Sequence, residues 1–196
     1  MNVLGLFPTP FALLKLNCDP RTYVDYAQHL EHIEPQGVRP GGWQSDFLDL
    51  TQEVVAPLVA QIQQCCDGLA SELWQLTQRL EVTQGWINSN RSADQLANNW
   101  NHLHPGVFMS FVYYAHAPQH SGDLVLEPPH SWNDYCVPEN DLAQLNLWNA
   151  QRHHYTPSTG DLVAFPGWIK HSARPNQSGE QRISYAFNAQ LKPLNS

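Results

Sequence analysis

The chain has 196 residues, which suits one domain better than two. Lys and Arg total 10 against 18 Asp and Glu, and the resulting formal charge of −8 argues against general binding to nucleic acids or anionic membranes, because such binding requires clustered basic side chains. Hydrophobic residues make up 42% of the chain, with seven each of Trp, Tyr and Phe, so a sizeable core is expected and intrinsic disorder is excluded.

The cysteines and the N-terminus both indicate a reducing compartment. The chain has no C-x-x-C pair, which predicts buried thiols rather than a zinc knuckle or a disulfide framework. The first 17 residues lack a basic segment and contain two prolines, unlike a signal peptide, and no apolar run approaches the roughly 20 residues of a membrane span. We therefore expect a soluble, cytoplasmic protein, whose oligomeric state the sequence does not indicate. The four cysteines are Cys18, Cys65, Cys66 and Cys136.

The first part of the chain has the pattern of helices. Asp19-Pro20 predicts a helix start, with Asp19 as the cap and Pro20 at the first helical position. A Gly/Pro-rich loop follows at 37–42. Apolar side chains at helical spacing then predict a long helix from about Leu50 to Leu80, with Pro57 near its start. We expect residues 1–81 to form a mostly helical buttress.

From about Val82 onwards, short aromatic and β-branched segments alternate with Gly, Pro, Asn and Asp turns. Short strands at this spacing are typical of a sandwich or barrel. The sequence thus predicts a single domain over 1–196, mainly β with a helical N-terminal third (α+β), whose β core spans 82–196. The predicted strands are Val82–Asn88, Val107–His116, Asp123–Glu127, Leu145–Trp148, Asp161–Phe165, Ile169–Ala173 and Arg182–Gln190.

Three histidines stand out by their position. In a strand, residues i and i+2 point to the same face, so the imidazoles of His102 and His104 can converge on one point. The spacing alone fits two surface histidines at a strand end equally well. In the segment 160–171, a Gly turn, an apolar strand and a Pro-Gly bend precede His171, an arrangement that would deliver one imidazole into the mouth of a barrel.

A cation and a hydroxyl share one face of the last predicted strand. Arg182 and Ser184 alternate with Ile183, Tyr185 and Phe187, so they lie on the face opposite these apolar side chains. This pair suits a carboxylate, since a guanidinium offers two parallel donors and a serine a third. The alternative for Arg182 is a surface salt bridge.

The chain contains an H-x-H pair, a distant His and an Arg-x-Ser pair, in this order. This arrangement resembles that of the Fe(II)/2-oxoglutarate dioxygenase superfamily, and more narrowly that of its small bacterial and phage branch with an HxHP signature. The resemblance implies a double-stranded β-helix, a cupin-like jelly roll buttressed by helices, with Fe(II) in its mouth and 2-oxoglutarate as cosubstrate. The motifs that carry it are GGWQSD at 41–46, WIN at 86–88, HLHPGVFMSFVYY at 102–114, SGDLVLEPP at 121–129, GDLVAFPGWIKH at 160–171 and RISYAFN at 182–188.

The resemblance also implies the metal ligands. His102 and His171 would be the two histidine ligands, and His104 would occupy the place where the superfamily usually has Asp or Glu. Three neutral imidazoles would leave the ferrous ion its full double charge, part of which a dianionic 2-oxoglutarate would offset. Glu127, or less favourably Asp123, is the alternative anionic ligand. We prefer His104 because strand geometry places it beside His102.

For the cosubstrate, the resemblance implies that Arg182 and Ser184 meet the distal carboxylate of 2-oxoglutarate. Tyr114 resembles a tyrosine that supports this carboxylate in prolyl-hydroxylase-like members, and Tyr113 is the register alternative because neighbouring strand residues face opposite ways. Two further residues either line the same cavity or pack in the core, namely Asn88 and Trp86.

The implied function is an Fe(II)- and 2-oxoglutarate-dependent oxygenase that hydroxylates a C–H bond of an unidentified substrate and releases succinate and CO2. The alternatives are a cupin-type metal oxygenase or isomerase that does not use 2-oxoglutarate, and a noncatalytic metal- or ligand-binding β-sandwich. The prime substrate stays open between a peptidyl residue, an amino acid and a small metabolite. Four aromatic side chains could line its pocket or belong to the core, namely Trp132, Tyr135, Trp148 and Trp168.

Overall fold

The computed structural model describes residues 1, 5, 7–34, 38–39, 42–91, 99–129, 143–144, 146 and 148–193. In this part of the chain, helix α1 spans Pro20–Ile33, helix α2 spans Ala56–Gly68, and a π-helical turn follows at Leu69–Leu73. The strands are β1 (Ala12–Lys15), β2 (Val38–Arg39), β3 (Gly42–Gln44), β4 (Arg79–Asn90), β5 (Asn99–His102), β6 (Met109–His116), β7 (Leu124–Leu126), β8 (His153–Tyr155), β9 (Asp161–Pro166), β10 (His171–Ala173) and β11 (Arg182–Lys192).

The strands form two antiparallel sheets. The larger sheet has the order β1-β9-β6-β11-β4-β3-β2, and the smaller sheet has the order β5-β10-β7-β8. Every pair of neighbours in both sheets is antiparallel. A mainly β chain with two helices is therefore confirmed for the described residues.

Helix α1 begins where the sequence predicts. The Asp19 side chain accepts a hydrogen bond of 3.0 Å from the Arg21 backbone N–H, and Pro20 occupies the first turn, where no N–H is needed. The helix buries Tyr23 and Ala27 against the larger sheet. Its position thus follows from a local signal that the sequence carries.

The long helix predicted from Leu50 to Leu80 is wrong at both ends. Helix α2 covers only Ala56–Gly68, and after the π-helical turn the left-handed backbone of Gln75 (φ 48°) breaks the helical path. Leu80 belongs to β4, where it is buried and shares one face with Val82. Its apolar position fits a period of two as well as one of 3.6, and sheet pairing decides between them.

The mostly helical buttress predicted for residues 1–81 is also only partly right. Strands β1, β2, β3 and the start of β4 lie in this third of the chain. Strand β1 pairs with β9 at one edge of the larger sheet, and β3 pairs with β4 near the other edge. Short edge strands such as these gain their stability from the sheet that they extend, so they leave little signal in the local sequence.

Most of the predicted strands are confirmed with shifted ends. Val82–Asn88 is the central part of β4, and Arg182–Gln190 is most of β11. The segment predicted at Ile169–Ala173 becomes a strand only from His171, because Pro166 to Ile169 form a turn. Residues 145 and 147 of the predicted strand Leu145–Trp148 lie outside the described residues, and Trp148 itself lies in a turn.

Strand β11 separates the core from the site. Its side chains Ile183, Tyr185 and Phe187 are buried with both helices in the main hydrophobic core, whereas Arg182 and Ser184 line a cavity between the two sheets. One face of β11 therefore packs into the core and the other lines the cavity, because alternate residues of a strand point to opposite sides. None of the described helices is long and apolar enough to cross a membrane.

Candidate active site

Three histidines converge at one end of the smaller sheet. His102 and His171 are direct partners across β5 and β10, with ring centroids 4.3 Å apart. The His104 ring lies 5.0 Å from His102 and 5.2 Å from His171. One candidate ligand atom from each histidine lies within 4.8 Å of the other two, and no other such group of three occurs among the described residues. The convergence predicted from the sequence is therefore present.

The reason for the convergence differs from the one predicted. His102 is the last residue of β5, so His104 follows the strand instead of continuing it. The His104 backbone N–H donates a 2.9 Å hydrogen bond to the carbonyl of Gly167, in the turn before His171. A Cβ on Gly167 would lie 2.4 Å from the Val107 carbonyl oxygen, so this close approach requires glycine.

The protonation states of His104 and His171 suit metal binding. His171 Nδ1 donates to the Ile169 carbonyl oxygen at 3.0 Å, which leaves Nε2 as the free ligand atom. Burial and the two neighbouring imidazoles lower the pKa of His171 to about 3 against the opposing effect of this hydrogen bond. Burial and His102 lower the pKa of His104 to about 4. Both rings are therefore neutral near pH 7, as a ligand must be.

The carboxylates considered as alternative ligands have partners elsewhere. The Glu127 Oε1 atom lies 3.5 Å from Arg152 Nε. The Asp123 carboxylate accepts a 2.8 Å hydrogen bond from Thr156 Oγ1 and lies 3.7 Å from His154 Nδ1. Neither belongs to the histidine group.

A cavity of about 320 Å³ extends from the histidines between the two sheets. Its floor is the inner face of the larger sheet, where β4, β11 and β6 place their side chains in register. Among the described lining residues, Arg182 is the only permanently charged side chain, and none is acidic. The floor side chains run in rows from Arg182 through Asn88–Ser184–Tyr114 and Trp86–Ala186–Val112 to Gln84–Asn188–Ser110.

Arg182 is buried at the inner end of this floor, with 2% of its surface exposed. Its Nη1 donates to the carbonyl oxygens of Ser121 and Gly122 at 2.9 and 3.0 Å, and its Nη2 donates to Asn90 Oδ1 at 3.2 Å. Its Nε is buried and has no hydrogen-bond partner among the described residues. Burial lowers the pKa of Arg182 and Tyr114 raises it, with the net effect downward. A buried guanidinium with an unused donor is suited to an anionic ligand.

The backbone around Gly122 helps to hold this arginine. Gly122 has a φ of 95°, and a Cβ at this position would lie 2.2 Å from the Arg174 carbonyl oxygen. Only glycine therefore fits the loop that presents two carbonyl oxygens to Arg182. The arginine's salt-bridge alternative is not observed, because these partners are neutral.

Three polar side chains lie side by side next to Arg182. Ser184 is the direct cross-strand partner of Asn88 on one side and of Tyr114 on the other. All three line the cavity and are buried. Burial is the main cause that raises the pKa of Tyr114 to about 12, so its phenol stays protonated and can donate a hydrogen bond.

The strand register determines which of Tyr113 and Tyr114 faces the cavity. Tyr113 points into the main core, where its hydroxyl accepts a 3.1 Å hydrogen bond from the Cys18 thiol. Tyr114 faces the cavity instead. Cys18, Cys65 and Cys66 are free thiols, of which Cys66 is buried as predicted and the other two are half-buried; Cys136 lies outside the described residues.

Trp86 lies at the histidine end of the cavity, with its ring 5.7 Å from that of His104. Sequence reasoning missed several other lining residues. The alternation along β11 extends to Asn188 and could have found it, whereas no sequence signal points to Phe47. Of the aromatic candidates, Trp148 and Trp168 are exposed and outside the lining, and Trp132 and Tyr135 lie outside the described residues. The lining residues missed include Gln44, Phe47, Gln84, Ser110 and Asn188.

Comparison with known families gives one match, which covers more than half of the chain. The model of a family described as "Putative 2OG-Fe(II) oxygenase" matches residues 84–188. This range contains all three histidines, Arg182 and the whole floor of the cavity from Gln84 to Asn188. No curated protein sequence matches the chain.

Solved structures with the same fold cover nearly the whole chain. A Pseudomonas putida prolyl-4-hydroxylase is 16% identical, with 94% of each chain covered and a TM-score of 0.62. The 2-oxoglutarate complex of a viral collagen prolyl hydroxylase from Paramecium bursaria Chlorella virus-1 is 11% identical, covering 93% of this chain and 96% of that one, at a TM-score of 0.60. The non-heme α-ketoglutarate-dependent epimerase SnoN from nogalamycin biosynthesis is 16% identical, with coverages of 92% and 76% and a TM-score of 0.68. At these identities the similarity shows the fold alone.

Proposed function

The chain belongs to the family of 2OG-Fe(II) oxygenases, and on this premise we propose which of its residues hold the iron and the 2-oxoglutarate. Family membership makes the protein a dioxygenase, an oxidoreductase that requires Fe(II) and 2-oxoglutarate. One observation carries the assignment of residues. A single cavity contains both the three-histidine group and a buried arginine with an unused donor.

The finer description of the fold is part of this proposal. We assign the two facing antiparallel sheets to a double-stranded β-helix, or jelly roll, with the metal site at its mouth. The order of the strands in the two sheets supports this assignment. We further propose one domain over residues 1–196. The pairing of β1 with β9 and of β3 with β4 supports it, because the N-terminal strands extend the sheet of the core.

His102, His104 and His171 are the proposed iron ligands. Imidazole nitrogens are suitable ligands for Fe(II), and three on one side of an ion leave its remaining positions open. The hydrogen bond from His171 Nδ1 to the Ile169 carbonyl fixes both the tautomer and the ring orientation. His104 here takes the place of the carboxylate that the superfamily usually supplies. Glu127 stays the alternative, and its contact with Arg152 argues against it.

Arg182, Ser184, Tyr114 and Asn88 form the proposed binding site for 2-oxoglutarate. Arg182 Nε can donate to its distal carboxylate, and the hydroxyls of Ser184 and Tyr114 can add neutral donors. The charges support the same assignment. With three neutral ligands, the iron keeps its double positive charge, and the cavity adds Arg182 but no acidic side chain among the described residues. A dianionic ligand offsets most of this positive charge.

When bound, Fe(II) and 2-oxoglutarate supply the oxidative chemistry, in which dioxygen is consumed, succinate and CO2 are released, and a substrate C–H bond is hydroxylated. The chain's own residues bind and orient the cosubstrate, and they exclude water from the site. Tyr114 and Leu124 belong to a buried apolar cluster beside the inner end of the cavity, which keeps the proposed carboxylate site dry. No side chain is required as a general acid or base.

Anaerobic addition of Fe(II) and 2-oxoglutarate to the purified protein tests this function. We expect about one Fe(II) per chain, a weak visible metal-to-ligand charge-transfer band, and succinate formation once oxygen is admitted. A cupin-type enzyme that does not use 2-oxoglutarate would bind metal without this band. A noncatalytic module would show neither the band nor succinate, and either result would overturn the proposal.

A further inference from the structure

The mouth of the cavity differs in chemistry from its Arg182 end. We define the mouth by Phe47, Gln84, Trp86, Ser110 and Asn188, all of which line the cavity. The Phe47 ring is 67% exposed and lies 6.2 Å from Trp86, edge to face, and the Trp86 ring lies 5.7 Å from His104. An aromatic wall therefore leads from the protein surface to the proposed metal ligands.

The mouth lies beyond the reach of a 2-oxoglutarate held at Arg182. Arg182 and Asn188 share one face of β11, six residues apart, which corresponds to about 20 Å along a strand. A molecule with a chain of five carbons cannot contact both. The polar groups of the mouth are therefore available to a second molecule, and Fe(II)-dependent hydroxylation requires one.

The polar groups of the mouth are neutral. Asn188 is the cross-strand partner of both Gln84 and Ser110, and Ser110 Oγ donates to Asn188 Oδ1 at 3.3 Å. Gln44, by contrast, is the cross-strand partner of Asn88 and belongs to the row of the proposed 2-oxoglutarate site. Carboxamides and a hydroxyl both donate and accept, which suits an uncharged polar group.

The described residues offer a charged group no partner of opposite charge at the mouth. None of the described residues that line the cavity is acidic, and its one permanent cation, Arg182, is at the far end and already bonded to backbone carbonyls. A carboxylate, phosphate or ammonium held between Gln84 and Asn188 would therefore lose hydration without a side-chain counter-charge from the described residues. An ammonium would also be repelled by the ferrous ion nearby.

We propose that the mouth binds the prime substrate through an uncharged portion. This portion is a ring or flat apolar face that packs on Trp86 and Phe47, and it carries an amide-like group that exchanges hydrogen bonds with the carboxamides of Gln84 and Asn188. The substrate class is thus a neutral, amide-bearing compound rather than a free amino acid, carboxylate or phosphate. This inference rests on the proposed function, since it assumes iron at the histidines and 2-oxoglutarate at Arg182.

Three probes of equal size test the charge preference, namely benzamide (neutral), benzoate (anionic) and benzylamine (cationic). Their binding is measured by saturation-transfer NMR on the anaerobic protein loaded with Fe(II) and 2-oxoglutarate, at millimolar probe concentration. We expect benzamide to bind at least about five-fold more tightly than the other two. Trp86→Leu should abolish this binding. Equal binding of all three probes, or none by any of them, would overturn the inference.

A charge-swap variant makes the test sharper. Gln84→Glu places one carboxylate at the mouth, so benzylamine should become the preferred probe. Gln190→Glu, the same change on β11 outside the cavity, should leave the preference for benzamide intact. If thermal unfolding shows that Gln84→Glu is not folded, Asn188→Asp replaces it with the same expectation. An unchanged preference in the folded variant contradicts the assignment of the mouth.

The affinity for 2-oxoglutarate, measured by calorimetry on the same samples, separates the two proposals. If the wild-type protein did not bind 2-oxoglutarate, the proposed function itself would be overturned. Normal 2-oxoglutarate binding without a preference for the neutral probe would overturn only the substrate class.

Discussion

His102 and His171 lie directly opposite each other across the β5–β10 pair, and their ring centroids are 4.3 Å apart. Strand register thus brings together two imidazoles that are far apart in the chain. The third imidazole, His104, is placed by a backbone hydrogen bond to the turn that leads into β10. Backbone hydrogen bonds therefore position the three imidazoles. Each imidazole, and the turn that positions His104, can be tested by a separate substitution.

The metal site is tested by substitution of its ligands. His171→Ala should abolish iron binding, and His104→Ala should weaken it by more than the roughly 10- to 100-fold loss that follows removal of a group behind a ligand. His104→Asp should retain iron, because it restores the usual two-His, one-carboxylate site. Metal analysis after anaerobic loading provides the measurement. Glu127→Ala is the control and should keep its iron; loss of iron in this variant with retention in His104→Ala would make Glu127 the ligand.

The cosubstrate site is tested by Arg182→Ala. Removal of one partner of a buried charge-assisted pair costs about 2–5 kcal/mol, which corresponds to a loss of about thirty-fold or more in 2-oxoglutarate affinity at roughly 1.4 kcal/mol per tenfold. Ser184→Ala should cost about 0.5–1.5 kcal/mol. Arg182→Lys should restore affinity only in part, because an ammonium on a flexible stem does not reproduce the fixed direction of the Nε–H donor.

Calorimetric titration of the anaerobic ferrous protein measures these losses, and metal analysis should show unchanged iron content. Equal 2-oxoglutarate affinity in the wild-type and Arg182→Ala proteins would contradict the assignment of this residue.

The two neighbouring tyrosines form a matched pair. Tyr114→Phe removes a hydroxyl from the cavity and should weaken 2-oxoglutarate binding by about 0.5–1.5 kcal/mol. Tyr113→Phe removes the acceptor of the Cys18 thiol in the core, and it should leave this affinity unchanged. Its effect should be on stability, with a fall in melting temperature of about 2–4 °C for each kcal/mol lost. If Tyr113→Phe weakened 2-oxoglutarate binding more than Tyr114→Phe did, the register assignment would be wrong.

Gly167 is expected to control the position of His104. The methyl group of Gly167→Ala would meet the Val107 backbone at 2.4 Å, so the turn has to move and carry with it the carbonyl that binds the His104 N–H. We expect at least a tenfold loss of iron affinity, similar to other losses of ligand orientation. Gly68→Ala, in helix α2 with open space around it, should bind iron normally and gain roughly 0.5–1 kcal/mol of stability. Normal iron affinity in Gly167→Ala would refute this role.

Asp161 on β9 should make stability depend on pH. Burial raises the pKa of Asp161, but hydrogen bonds from Lys15, Tyr155 and the Ser158 N–H outweigh burial and hold the pKa below its ordinary value. Folding therefore favours the ionised form. The stabilisation is present above the unfolded-state pKa of about 4 and is lost as the pH falls through the lower folded-state value.

Asp161→Asn should accordingly unfold about 1–3 kcal/mol more easily at pH 7, and the difference should shrink below about pH 4. Most of this comes from the buried contacts with Tyr155 at 2.5 Å and the Ser158 N–H at 2.7 Å, since Lys15 is 63% exposed and contributes little. Urea unfolding of both proteins across this pH range provides the measurement. A difference that stayed constant with pH would show that the charge of Asp161 plays no part.

The sequence by itself determined the features that depend on neighbouring residues. Asp19-Pro20 predicted the start of helix α1, and the alternation along residues 182–188 placed Arg182 and Ser184 on one face. The H-x-H spacing and the lone His171, taken with the Arg-x-Ser pair, were sufficient for the resemblance to the oxygenase family. These signals are local, because capping and strand alternation are set within a few residues.

Tertiary structure alone decided what depends on strand pairing. The register between β6 and β11 places Tyr114, and not Tyr113, in the cavity. Leu80 became a strand residue although it fits a helical period, because β4 pairs with β11 along its whole length. Contact between Phe47 and Trp86 joins a loop to a distant strand, which no local pattern encodes. Pairing and packing between remote segments outweigh local propensity, and for this reason the place of Phe47 in the site was visible only in the folded chain.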